Sequence, residues 1–167
     1  MTKDEINRYL VQLNEELAVL GVVGEICLYG GAVMCLVFDA RPATKDVDAV
    51  FRPVREIRLA AKRVAERHHL PDDWLNDGVK GFLAGNESTK ILAEYSHLLV
   101  YYADPRYLLA MKVMAARVDM DRKDIEFLIR KLDIRTAEEV FGIIEGYYPK
   151  RLIKPAAQFA IEELFES

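Results

Sequence analysis

The chain has little of what marks the commonest specialised protein classes. It holds two cysteines and three histidines in 167 residues, and a disulfide framework needs more thiols than that. Cys27 and Cys35 lie in apolar stretches with no histidine or further cysteine close by. They read as buried thiols of a cytoplasmic protein rather than as metal ligands. No apolar run approaches the ~18–20 residues that cross a bilayer, so no membrane partner is expected. The opening Met-Thr-Lys-Asp-Glu-Ile lacks a charged-then-apolar signal pattern. There is no basic excess either: 23 Lys and Arg against 27 Asp and Glu give a formal charge of −4, which disfavours a broad nucleic-acid-binding surface. Internal repeats and low-complexity linkers are absent. What remains is a chain that is 51% hydrophobic and long enough for one cored domain, or one domain plus a small helical extension.

Residues 3–20 read as an amphipathic helix, with Ile6, Leu10, Leu13, Leu17 and Leu20 at helical spacing. Thr2 and Glu5 fit a capping box, and Gly21 ends the helix. A short apolar strand over 25–29 enters Gly30-Gly31, and Ala32 to Phe38 continue as a short helix. Asp46 to Phe51 alternate as a strand does. A helix over Arg55 to Arg67 follows, then a structured loop or turn over Asp72–Gly78, then strands at Ile91–Tyr95 and Leu98–Ala103. From Asp104-Pro105, a cap followed by proline at the first helical position, the pattern is helical. Asp121 is expected to open one helix, Thr136–Glu139 to cap a second as a capping box, and Pro155 to begin a third. The predicted fold class is therefore α/β (α+β): a mixed sheet flanked by helices over residues 1–103, with a C-terminal helical bundle over 104–167 packed on that core.

The chemistry concentrates in one stretch. Gly30-Gly31 lies between a strand and a helix, where bare backbone lets a phosphate approach amide N–H groups. Asp46 and Asp48, two apart on a predicted strand, point to one face. Adjacent carboxylates repel unless neutralised. A divalent cation with oxygen ligands solves this, and Mg²⁺ is often completed by substrate phosphates. Arg41 and Thr44 in the intervening loop add a cation and a hydroxyl. Each part alone is commonly a turn, a solvated face or a polar loop. In this order they form a phosphoryl- or nucleotidyl-transfer site, with attack on an α-phosphate and pyrophosphate as leaving group.

Gly30-Gly31, Arg41-Pro-Ala-Thr44 and Asp46-Val-Asp48 resemble the signature of the nucleotidyltransferase superfamily. More narrowly, the chain resembles the small bacterial proteins related to the AbiEii-type toxins and the DUF6036 group. Two further segments carry that likeness: Trp74-Leu-Asn-Asp-Gly-Val-Lys-Gly-Phe82, and Tyr107 to Arg117 followed by Asp121-Arg-Lys-Asp124. The resemblance spans roughly residues 25 to 132. It implies a nucleotidyltransferase dependent on Mg²⁺ (or Mn²⁺) that moves an NMP from an NTP to an RNA or protein acceptor, as a toxin with a cognate antitoxin. It implies Asp46 and Asp48 as metal ligands, and Gly30, Gly31, Arg41, Thr44 and Lys112 as nucleotide-binding.

By spacing, Lys112 shares a helix face with apolar positions, so its ammonium either snorkels or finds an anion. The resemblance implies that it contacts nucleotide phosphates and that an aspartate of the next helix, Asp124 or Asp121, completes the site. Asp121 also suits an N-cap, and Arg117 is a partner for either aspartate. The superfamily has a third carboxylate on a neighbouring strand, often as general base. In this chain Leu92 occupies the expected place, leaving Glu94 or Asp77 to substitute. Two other functions compete: a catalytically degenerate nucleotide-binding member, and an interaction module with Phe141, Tyr147, Tyr148 and Phe159 as exposed anchors.

Overall fold

The computed structural model describes residues 1–166, and the chain divides into two compact units. The first comprises Met1–Gly81 and Thr89–Ala103; the second comprises Phe82–Ser88 and the chain from Asp104 onward. Among the described residues no helix is long and apolar enough to cross a membrane.

The first unit is a five-stranded mixed sheet with three helices. Helix α1 (Lys3–Leu20) starts where the Thr2 hydroxyl accepts from the Glu5 N–H and the Glu5 carboxylate accepts from the Thr2 N–H. It stops at Gly21, whose φ of 70° is left-handed. Strand β1 (Gly24–Tyr29) leads into α2 (Gly30–Leu36), and β2 (Val47–Arg52) leads into α3 (Val54–His68). Strands β3 (Leu75–Asn76), β4 (Thr89–Glu94) and β5 (Leu98–Ala103) complete the sheet, in the order β3-β2-β1-β5-β4. β1 is antiparallel to β2 and parallel to β5.

The sheet's two faces differ. Ile26, Leu28, Val47, Ala49, Phe51, Leu98 and Val100 point to one side and are buried. That side is covered by α1 and α3. A Cβ built on Gly24 would meet Leu17 and Ile57 at 3.0 Å, so glycine lets the helices sit close. Trp74, 2% exposed, closes this core and donates its indole N–H to the Ala61 carbonyl at 3.0 Å. The opposite face carries Glu25, Cys27, Asp48, Val50, Leu99 and Tyr101, all only half-buried.

The second unit holds α4 (Pro105–Met114), α5 (Val118–Lys131), α6 (Ala137–Glu145) and α7 (Pro155–Leu164). Asp104 caps α4 by accepting from the Arg106 and Tyr107 N–H groups at 2.9 and 3.1 Å. Phe82–Ser88 group with these helices rather than with residues 1–103. The reason lies in four polar contacts: the Phe82 carbonyl accepts from the Tyr148 hydroxyl, the Ala84 N–H reaches the Tyr107 hydroxyl, Asn86 donates to the Gly146 carbonyl, and Ser88 accepts from Asp104.

Two expected caps differ from the sequence reading. Helix α5 begins at Val118, and the Asp121 N–H already donates to the Arg117 carbonyl at 2.9 Å. Asp121 therefore lies inside the helix, with its carboxylate drawn into a buried ion pair instead of a cap. At α6 the Thr136 hydroxyl accepts from Glu139, but the Glu139 carboxylate turns to the Arg135 N–H.

Candidate functional site

The turn from β1 into α2 is built around missing side chains. Gly30 adopts a φ of +59°, a left-handed conformation that strains other residues. A Cβ placed there would lie 2.7 Å from Asp48 Oδ2. A Cβ on Gly31 would lie 2.7 Å from Arg41 Nη1 and 2.8 Å from Thr44 Oγ1. Asp48, Arg41 and Thr44 thus converge on the glycine pair, and only glycine admits all three. Asp48 reaches it because it sits on the half-exposed face of β2, directly opposite Tyr29, the last residue of β1.

The loop that delivers Arg41 and Thr44 is fastened at both ends. Met1 and Thr44 exchange backbone hydrogen bonds of 2.7 and 2.8 Å, and Thr2 bridges Ala43. The Ala40 N–H donates to the Met34 carbonyl at 2.8 Å, and Lys3 pairs with Asp39 at 3.1 Å. Thr44 is buried and its hydroxyl donates to the Asp46 carbonyl at 3.2 Å. Asp46 precedes the first paired residue of β2 and is half-buried.

The donor set limits the kind of cation that fits. No group of three or more His, Cys, Asp or Glu residues able to hold a metal occurs among the described residues. Two carboxylates suit Mg²⁺ when substrate phosphates supply further oxygens. Asp46 and Asp48 by themselves are too few to make an all-protein metal cage.

The substitutes for a third carboxylate do not join this place. Glu94 is exposed on the edge strand β4, with β1 and β5 between it and β2. Three strand spacings put it roughly 14 Å away across the sheet. It also lies at the far end along the strands, since Glu94 pairs with Leu99, Leu99 with Glu25, and Glu25 with Arg52. Leu92 falls in a register shift between Ile91 and Ala93. Asp77 is nearer, but Lys80 at 2.6 Å and Arg58 at 2.8 Å occupy its carboxylate. The hydrogen bond from Lys80, aided by Arg58, holds the Asp77 carboxyl below the usual range, which weakens it as a base.

The residue beside Asp48 that sequence reasoning missed is Asn76, its partner across the β2–β3 pairing. Its side chain accepts from the Gly78 N–H and donates to the Asp73 carbonyl. A two-residue strand is too short for alternation to reveal.

Within the helical unit, Lys112, Asp121 and Asp124 form one buried cluster, each under 9% exposed. Lys112 Nζ lies 2.8 Å from Asp124 Oδ2 and 3.2 Å from Asp121 Oδ1. The Arg117 guanidinium stands 3.6 Å from Asp121 Oδ2, and that oxygen has no hydrogen-bond partner. The Lys112 charge is met by two carboxylates of its own unit.

Of the four aromatic residues expected as exposed anchors, Phe159 alone is exposed, at 70%. Tyr147 packs on Tyr107 with centroids 4.9 Å apart, and the Tyr148 hydroxyl is engaged by Phe82. No protein-family model matches the chain, and neither does any curated protein or solved structure.

Proposed function

We propose that the protein is a nucleotidyltransferase that takes an NTP with Mg²⁺ or Mn²⁺ and passes the NMP to a macromolecular acceptor. The observation that carries this reading is the meeting of Asp48, Arg41 and Thr44 at the bare Gly30-Gly31 turn, within contact distance of where side chains are missing. The glycine backbone admits the β- and γ-phosphates, and the Arg41 guanidinium offsets their charge. The Thr44 hydroxyl is available to a phosphate oxygen at the cost of its bond to the Asp46 carbonyl. Asp46 and Asp48 are the residues that would hold the cation, which supplies charge neutralisation at the α-phosphate. The mixed sheet, with Asp48 on the strand beside the glycine turn and Asp46 just before it, is in keeping with a nucleotidyltransferase-like fold.

The direct test is calorimetric titration of each NTP in the presence and absence of Mg²⁺, with pyrophosphate release followed in parallel. Saturable binding that needs the cation and disappears in Asp48→Asn supports the reading. No binding of any NTP, with Asp46→Asn and Asp48→Asn indistinguishable from wild type, removes it.

A second reading has its own observation. Glu94 lies across the sheet and Asp77 is held by two cations, so neither is placed to act as a general base at Asp48. A nucleotide-binding member without turnover fits that deficit. NTP binding with no pyrophosphate release selects it, and measured release excludes it.

A further inference from the structure

The sheet face that carries Asp48 continues, away from the glycine turn, into a shallow trough. Strand register places Tyr29 opposite Asp48, Cys27 opposite Val50 and Tyr101, and Glu25 opposite Arg52. Glu25, Cys27, Val50, Arg52 and Tyr101 line a depression of about 240 Å³. Cys27 and Val50 make an apolar floor beside the Tyr101 ring. An ion pair closes the far end, where Arg52 Nε donates to Glu25 Oε2 at 2.6 Å. Val50 is two residues past Asp48, roughly 7 Å along the strand.

The position of the trough relative to the carboxylates is informative. Displacement at a phosphorus runs in line, so the attacking and leaving oxygens stand on opposite sides of it. In the nucleotidyltransferase reading, pyrophosphate departs toward Gly30, Gly31, Arg41 and Thr44. The attacking oxygen then arrives from the other side of Asp48, where the trough lies. We infer that the trough is the acceptor subsite and that the acceptor is a peptide segment presenting a serine, threonine or tyrosine hydroxyl. This assignment rests on the nucleotidyltransferase reading.

Charge favours a peptide over an RNA end. An RNA strand brings one negative charge per nucleotide and needs lysines or arginines to meet it. Arg52 is the one cation lining the trough, and it is paired with Glu25. Asp48 lies two residues from Val50 on the same face of β2, and the chain as a whole carries −4. A peptide segment brings no phosphate charge into that field, and its side chains cover the apolar floor. In the step itself, the acceptor hydroxyl oxygen bonds to the α-phosphorus and the bond to the bridging oxygen breaks. The bond's electron pair leaves with pyrophosphate, and the hydroxyl proton is released to solvent.

The test uses the full chain, Mg²⁺, and each NTP radiolabelled at the α-phosphate. The acceptors are a degenerate synthetic peptide library containing Ser, Thr and Tyr, a matched library with Ala, Val and Phe in their place, and bulk transfer RNA. Label entering the hydroxyl library and not the matched one is the expected result. Val50→Trp fills the trough, and misplacing the acceptor by about 1 Å costs on the order of 100-fold in transfer. NTP affinity, measured separately by calorimetry, stays at the wild-type value. Tyr101→Ala removes one wall and lowers transfer roughly tenfold, which keeps the assignment testable should the tryptophan variant misfold. Label in RNA but not in peptides overturns the assignment, as does wild-type transfer by both variants. NTP binding with every peptide unlabelled overturns the acceptor subsite alone. Failure of the wild-type chain to bind any NTP removes the nucleotidyltransferase reading and the subsite together.

Discussion

Two places in this molecule set aspartates beside a cation, and they are built in opposite ways. In the sheet unit, Asp48 and Arg41 approach a turn from which the side chains have been removed, and both are only half-buried. In the helical unit, Lys112, Asp121 and Asp124 are buried and bonded to one another at 2.8 and 3.2 Å. The first is half-open to solvent, so a ligand can reach its side chains. The second is already balanced, and a phosphate brought to Lys112 would meet two carboxylates. Spacing in the chain does not distinguish these arrangements, because charged residues at helical or strand intervals look alike whether they face a ligand or each other. Burial is what separates the two arrangements.

The largest effect is expected from breaking the closed cluster. Lys112→Met keeps the aliphatic stem but leaves two buried carboxylates facing each other, at a cost of about 3–5 kcal/mol. Urea unfolding followed by circular dichroism measures it. A variant as stable as wild type that no longer binds NTP would reverse the contrast and give Lys112 to the phosphates, as the family resemblance implies. Asp48→Asn is the counterpart in the open site. Its stability should stay close to wild type, while pyrophosphate release falls roughly 10²–10³-fold through loss of charge at the reacting phosphate. A large loss of stability without loss of release would make Asp48 a structural residue.

The glycine pair sharpens the contrast at finer scale. Gly30→Ala meets both a left-handed backbone and Asp48 Oδ2 at 2.7 Å, so it should cost about 1–2 kcal/mol of stability and weaken NTP binding as well. Gly31 has no positive φ, and its Cβ would displace the flexible end of Arg41 and press on the buried Thr44 hydroxyl. Gly31→Ala should therefore cost less stability than Gly30→Ala and lower NTP affinity about tenfold, the worth of one charge-assisted contact. Denaturation and calorimetry on the same two preparations separate the outcomes. Equal behaviour of the two variants would mean that the turn is only a turn.

How much of this was legible in the sequence follows from what periodicity reports. It gives the faces of a single element, so α1 with its Thr2 cap and Gly21 stop, and β2 with Asp48 on its polar side, can be read directly. It does not give the order of strands in a sheet. Glu94 is a reasonable third carboxylate by spacing, and only the order β3-β2-β1-β5-β4 removes it. Asn76 stays hidden because its strand has two residues. Asp121 reads as a cap because caps and buried ion-pair partners share a residue type. The partner that decides between them, Lys112, is nine positions earlier on another helix.

Between the open site and the closed cluster lies an intermediate case that yields the smallest effect. Glu16 is 12% exposed at its side chain and takes Arg67 at 2.7 Å and Arg63 at 3.2 Å. The hydrogen bond from Arg67 outweighs the opposing effect of burial, and the Glu16 carboxyl is held below its ordinary value of 4.5. In the folded state it therefore binds fewer protons than in the unfolded chain wherever the two titrations differ. Its contribution is present above the unfolded value and fades as pH falls through the depressed folded one. Glu16→Gln should lose a few tenths to about 1 kcal/mol at pH 7, because both arginines are half-exposed and solvent screens the pair. The variant's stability should also fall less steeply than wild type between pH 5 and pH 3, read from urea midpoints at each pH. If the two proteins show parallel pH profiles, the ion pair contributes nothing beyond packing, and burial of the carboxylate rather than its cations decides where this chain stores electrostatic stability.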